Sequence, residues 1–341
     1  MIGTTTRKRL LLIGGTQRAV PTLTSLLTRK DVEYVQGIFM RGHADEHRFA
    51  RQLADLGDSY GLPYTVEDKV SPASLARVAQ ASCDALIGIG VWRTHLPDAF
   101  LQAAKYGFLG IHGTPLPQYR GFAGIYWQII NGDSSVGLRG LQLASGIDDG
   151  PIICDGDGRP VESQVALDNE WHLTEILAAY DKCHIQLVNR VVDLVRDDQI
   201  HFTPQNSAGA TYSCHRGPDD GEINWTDSTR NVFNFIRAQT RPLSGAYTFF
   251  QNRKVWIWRS RPRPDFANYE GRICGKVVHR DLSTGSVVVL TRDGGIEIVE
   301  ASALPTGTQE VQRPSEIFST VRARCTTEVE AFVRQQRDDG A

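Results

Sequence analysis

Apolar and polar positions follow two rhythms along this chain, and the change between them divides it. Arg9 to Gly15 is a short continuous apolar run ending in Gly14-Gly15, and Val20 to Leu27 continues at helical spacing. A buried strand followed by a helix is the reading. The pair recurs as a strand over Val32 to Met40 and a helix over Ala44 to Gly57 with Phe49, Leu53 and Leu56 on its apolar side. It recurs again as a strand over Pro63 to Val66, a helix over Pro72 to Ala81 and a strand over Asp84 to Trp92 that is apolar on both faces. This alternation predicts a doubly wound, mostly parallel sheet. Such sheets bind ligands beyond the carboxyl ends of their strands, where the strand order reverses. The loop Val91 to Pro97 leaves a strand at such an end and is a candidate ligand wall; packing of Trp92 on the next helix explains it equally well.

Ile125 to Ile130 reads as a helix and Gly137 to Leu143 as a strand. Leu167 to Arg196 reads as a long amphipathic helix whose apolar stripe packs back on the first domain, with Glu170, Glu175 and His184 at solvated positions. From about Thr203 the rhythm shortens. A helix over Asn231 to Gln239 is followed by short strands at Ala246 to Phe250, Val255 to Trp258, Gly271 to Val278, Ser286 to Leu290 and Ile296 to Ala301, with turns such as Arg292-Asp-Gly-Gly295. Short strands at regular spacing predict a small β-barrel, an open Greek-key type. Glu316 to Gln336 reads as a closing charged helix. The fold class is therefore α/β: a Rossmann-like, mostly parallel sheet domain over 1–203 and a small OB-like β-barrel domain with its terminal helix over 204–335.

Composition narrows the function. With 41% hydrophobic and 22% charged residues the chain is globular, and 37 Lys+Arg against 39 Asp+Glu leave a net charge of −2. No global field draws it to nucleic acid or an anionic membrane. The six cysteines are scattered, with no Cys-x-x-Cys and no zinc spacing, as expected of reduced thiols in a cytoplasmic protein. The apolar run after Arg7-Lys-Arg9 is too short for a signal peptide, and no segment is long enough to span a bilayer.

The chemistry concentrates in Gly110-Ile-His-Gly-Thr-Pro-Leu-Pro-Gln-Tyr-Arg-Gly121 and Gly146-Ile-Asp-Asp-Gly150. A histidine between glycines, with prolines stiffening the exit, suggests an imidazole at a loop tip with open space around it. As a catalytic base His112 needs a carboxylate to orient it. Asp148 is the candidate, with Asp149 as competitor; adjacent residues point different ways, so one of the two should face the site. Gly14-Gly15 lacks GxGxxG spacing and reads as a tight strand-to-helix turn.

The wider pattern, Gly110-x-His112-x-Thr114-x-Leu-Pro117-x-Tyr-Arg-Gly121 followed by Gly146-Ile-Asp148-x-Gly150, resembles the signature of formyltransferases that use 10-formyltetrahydrofolate, a family that includes methionyl-tRNA and sugar N-formyltransferases. Pro218 to Trp225 and Ile236 to Ala246 are similar to its barrel domain. The resemblance implies that His112 and Asp148 are catalytic, with Thr114 and Gly110 beside them. It implies donor contacts from Ile89, Val91, Trp92, Arg93, Leu96 and Ile147, the 91–96 loop standing where the family holds the pterin. Trp92 and Arg93 replace a common tyrosine and glycine.

Gly110 replaces the family's asparagine, a donor aimed at the oxyanion that develops when an amine attacks the formyl carbon. Such a donor supplies on the order of 10²–10³ in rate. Protonated His112, Thr114 or a backbone N–H can meet the oxyanion instead. Alternatively the space admits another acceptor or a variant one-carbon group such as formimidoyl, or the protein binds without turnover.

For the acceptor, Arg41 to Arg51 mixes both charge signs and contains no lysine, which disfavours tRNA. A small-molecule amine is preferred, with a nucleotide-linked amino sugar leading and an amino-acid or secondary-metabolite amine second. Arg120, Arg237 and Arg241 are candidates for its pyrophosphate, with Gly121, Tyr126 and Trp127 lining the acceptor side. A non-catalytic folate or nucleotide-sugar binder and a hydrolase of formyl-folate stay open, as does a homodimer.

Overall fold

The computed structural model describes residues 7–42, 47–90, 96–303 and 310–339. The chain divides into two units: Met1–Gly124 with Val136–Val165 and Ala179–Ser213, and Ile125–Ser135 with Ala166–Ala178 and Cys214–Ala341.

The first unit opens with β1 (Arg9–Gly14), α1 (Ala19–Leu27), β2 (Glu33–Met40), α2 (His47–Tyr60), β3 (Tyr64–Glu67), α3 (Pro72–Ala81), β4 (Ala85–Gly88), α4 (Asp98–Leu101) and β5 (Phe108–His112). Along the chain follow β6 (Arg120–Gly121), α5 (Gly124–Ile130), β7 (Ser135–Gln142), β8 (Ile152–Cys154), β9 (Glu162–Ala166), α6 (Leu173–Arg196), β10 (His201–Thr203) and β11 (Tyr212–Ser213), with α5 beyond Gly124 and the start of α6 belonging to the second unit. Among the described residues the main sheet runs β10-β8-β7-β5-β4-β1-β2-β3, with β9 on β7. β5, β4, β1, β2 and β3 are parallel, as the sequence rhythm requires. β7 turns antiparallel to β5. The order reverses between β1 and β4, so β1, β4 and β5 all end near the switch point where such sheets hold ligands.

Local chemistry explains the elements. Ser71 caps α3 by accepting from the Ser74 N–H, and Pro72 follows it in the first turn, where its missing N–H costs nothing. Leu11, Ile13, Ile38, Val78, Leu86, Phe100 and Phe108 form one buried cluster around the parallel strands. A Cβ on Gly15 would lie 2.0 Å from the Met40 carbonyl oxygen. The Gly pair is thus a close-packed turn, in keeping with the structural reading of that motif.

The second unit adds α7 (Thr229–Gln239), β12 (Ala246–Phe250), β13 (Arg253–Arg263), β14 (Val277–Arg280), β15 (Val287–Leu290), β16 (Gly295–Ser302), α8 (Pro314–Ile317), β17 (Cys325–Thr326) and α9 (Glu328–Asp339). Its described sheet is antiparallel throughout in the order β14-β15-β16-β13-β12-β17, with α7 packed on β13 and β16. Four sequence expectations need correction. His112 is the last residue of β5 rather than standing at a loop tip, and only Val277 and Val278 of the expected Gly271–Val278 strand lie in β14. Glu316 to Gln336 is not one helix, because Phe318 is fully buried and Cys325 pairs with Phe250 in β17 before α9 starts. His184 on α6 is not solvated: it is 2% exposed, with Nδ1 3.4 Å from the Thr22 hydroxyl. No helix among the described residues is long and apolar enough to cross a membrane.

Candidate active site

β5 carries the first half of the site. Side chains two apart on a strand share a face, so Gly110 and His112 point the same way. In the antiparallel pairing with β7, Gly110 stands opposite Leu141 and His112 opposite Arg139. Arg139 donates to the Leu116 carbonyl and to Glu162, which ties the exit loop to the sheet. Beyond His112 the chain folds on itself. The Thr114 hydroxyl, almost fully buried, donates to the Gln118 carbonyl at 2.9 Å, and Tyr119 adopts a φ of 56°.

The turn at 146–150 carries the second half. A Cβ on Gly146 would sit 2.0 Å from an Asp149 carboxylate oxygen, so Asp149 folds over its own turn. Asp148, at φ 48°, is the carboxylate that reaches His112: its Oδ2 lies 3.6 Å from His112 Nδ1 and accepts the Gly121 N–H at 2.7 Å. The separation is within ion-pair reach and longer than a direct hydrogen bond. Gly121 has a φ of 97°, the left-handed region that glycine tolerates, and a Cβ there would meet the Ser213 carbonyl oxygen at 3.0 Å. On the other ring edge, His112 Nε2 is 3.5 Å from the Tyr119 carbonyl oxygen, at the outer limit of hydrogen bonding. An imidazole held by a carboxylate on one edge can exchange a proton at the other.

Two family models match the chain: formyl transferase over residues 40–160 and the formyl transferase C-terminal domain over residues 217–310, together more than half of it. The chain belongs to the formyl transferase family.

Solved structures of similar fold include an N-formyltransferase from Helicobacter canadensis in complex with folinic acid and dTDP-3-aminofucose, at 15% identity and a TM-score of 0.60, covering 85% of this chain and 98% of that one. HypX from Aquifex aeolicus in complex with tetrahydrofolic acid aligns at 16% identity and a TM-score of 0.59, covering 92% of this chain. The chain spans about half, 47%, of the HypX length. A methionyl-tRNA formyltransferase from Clostridium thermocellum aligns at 14% identity and a TM-score of 0.53, covering 74% of this chain and 92% of that one.

The other expected site residues fall in several places. Val91, Trp92 and Arg93 lie outside the described residues. Ile89 and Leu96 are buried, Leu96 in the cluster around β4 and β5. Ile147 is 58% exposed, and its Cγ2 is 3.7 Å from where a Gly121 Cβ would stand. Arg120 is 3% exposed, with Nε and Nη2 donating to Gln205 Oε1 at 3.1 and 2.8 Å and Nη1 to the Tyr212 hydroxyl at 3.2 Å.

Tyr126, Trp127 and Arg237 belong to the second unit. Trp127 Nε1 donates to the Cys214 carbonyl at 2.8 Å beneath the Arg216 guanidinium. Arg237 has no solvent exposure and donates through Nη1 to the Asp168 carbonyl at 2.8 Å; burial pushes its pKa down to about 10. Among the described residues no cluster of His, Cys, Asp or Glu could hold a metal.

Sequence reasoning missed Gln205. Its amide donates to both the Asp148 and Gly150 carbonyls at 2.7 Å while its oxygen accepts from Arg120. Pro204 to Ala210 is polar and turn-rich, and no spacing in it signals a partner 57 residues upstream.

Proposed function

We propose that the chain is an N-formyltransferase that moves a formyl group from 10-formyltetrahydrofolate to the amine of a small molecule, a nucleotide-linked amino sugar in our reading. The observation that carries it is Asp148, fixed by the Gly121 N–H and lying 3.6 Å from His112 Nδ1. Among the described residues a Cβ on Gly110 would meet Leu143 Cδ1 at 3.0 Å and no other atom within 4 Å, which supports open space beside His112 on that face.

The donor supplies an activated formyl carbon. Ile89, Val91, Trp92, Arg93, Leu96 and Ile147 would hold it. His112 takes the proton of the attacking amine at Nε2, and Asp148 orients the ring and balances its charge. The new bond joins amine nitrogen to formyl carbon, the bond to N10 breaks, and the proton ends on N10. Catalysis belongs to residues 1–203 of a cytoplasmic enzyme, and 204–335 form an OB-like barrel.

The sugar acceptor is supported by the aminofucose nucleotide bound in the Helicobacter canadensis enzyme of similar fold. A net charge of −2 also favours a small molecule over tRNA. Calorimetric titration with 5-formyltetrahydrofolate, a stable isomer of the donor, tests the reading. Saturable one-site binding is expected, followed by formyl mass gain on an amino-sugar nucleotide. An absence of binding up to millimolar ligand would sink the donor assignment.

A further inference from the structure

Asp148 has to hold a left-handed conformation that favours glycine, at φ 48°, while its carboxylate stays within reach of His112. The Gly121 N–H fixes one carboxylate oxygen. The backbone of the turn is held separately, by Gln205. Its Nε2 bridges the Asp148 and Gly150 carbonyls, both at 2.7 Å. An amide has one oxygen and one NH₂ group, and both are engaged here, because Oε1 accepts two N–H bonds from Arg120. Arg120 in turn is locked by the Tyr212 hydroxyl and by backbone pairing of β6 with β11. Its immediate neighbour Gly121 donates to Asp148. The result is a closed ring from Asp148 through Gln205 and Arg120 to Gly121 and back to the Asp148 carboxylate.

We propose that Gln205 is a positioning residue for the formyl-transfer site, clamping the Asp148 turn through its amide while Arg120 holds the amide in orientation. The inference rests on the reading of Asp148 as the partner of His112. Gln205 acts through Asp148 and touches no reacting atom. A displacement of about 1 Å in a catalytic group can lower turnover about 10²-fold, and the clamp prevents that displacement.

Gln205→Glu separates the two halves of the clamp: the carboxylate still accepts from Arg120 but offers no donor to the two carbonyls. The expected result is a kcat lowered about 10²-fold, with the KM for the folate donor within about threefold of wild type and thermal unfolding almost unchanged. Exchange of the Gly121 amide proton, read by NMR, should speed up about tenfold or more, since its acceptor is no longer fixed. Gln205→Leu removes both halves and should lose stability as well.

A residue serving only as a hydrogen-bond acceptor for Arg120 would leave Gln205→Glu at wild-type kcat, and that result overturns the proposal. Unchanged exchange at Gly121 overturns it too. Should the wild-type protein formylate no amine, the transferase reading fails instead, and the exchange rate alone decides whether the clamp exists.

Discussion

His112 and His184 lie in one unit and are made of the same imidazole, yet their surroundings differ. His112 ends a strand, half-buried, with Asp148 at 3.6 Å on one edge. His184 sits inside α6, stacked on Tyr180 at 6.4 Å between centroids and facing the Thr22 hydroxyl. Burial first, and then the positive charge of Arg18, push its pKa down to about 3, so it is neutral at every physiological pH. A histidine walled off from water is a packing element. One held by a carboxylate at the carboxyl end of a strand can move a proton.

The largest expected effect tests the chemical side of that contrast. His112→Ala should lower the single-turnover rate of formyl transfer about 10²–10⁴-fold, with donor affinity changed only a few-fold. A comparable loss in His184→Leu would erase the distinction.

Next comes Gly110→Asn. It places a side-chain donor on the same face of β5 as His112, and Leu143 must yield by a few tenths of an ångström, which the end of a flexible side chain can do. The expected outcome is a rise in kcat of about tenfold, part of the 10²–10³ that one oxyanion donor supplies. A fall in kcat, read in the same assay, would show that the acceptor occupies the space at Gly110.

His184→Leu is the smallest effect on turnover, within about threefold, and its signature is in stability. The folded pKa of His184 lies below its ordinary value of 6.5, so as pH falls the unfolded chain binds the proton first. Stability is complete above pH 6.5 and declines toward pH 3 by up to about 1.4 kcal/mol per pH unit. Urea unfolding at pH 7 and pH 4.5 should show the variant losing about 2 kcal/mol less than wild type over that interval. An equal loss in both proteins would mean that His184 is not the buried neutral group described above.

The regular elements were legible because their causes are local. Ser71 and Pro72 start α3 where the sequence places it, and the rhythm of β1 and β4 follows from strands buried on both faces. Local signals failed where burial came from a distant partner. The periodicity of 316–336 looks helical, yet the edge of β12 captures Cys325 and Thr326 as a strand. The polarity of His184 suggested solvent until α1 covered it with Thr22.

By itself the sequence determined which residues could do chemistry here: a histidine between glycines after an apolar strand, and two adjacent aspartates on a glycine-bounded turn. The tertiary structure decided which aspartate reaches the imidazole, since Asp149 packs on Gly146 and Asp148 is drawn to Gly121. It also turned Arg120 inward to Gln205, 85 positions away in the chain. The physical reason is that hydrogen bonds between distant segments depend on where the sheet brings strand ends together, and composition and periodicity describe only near neighbours.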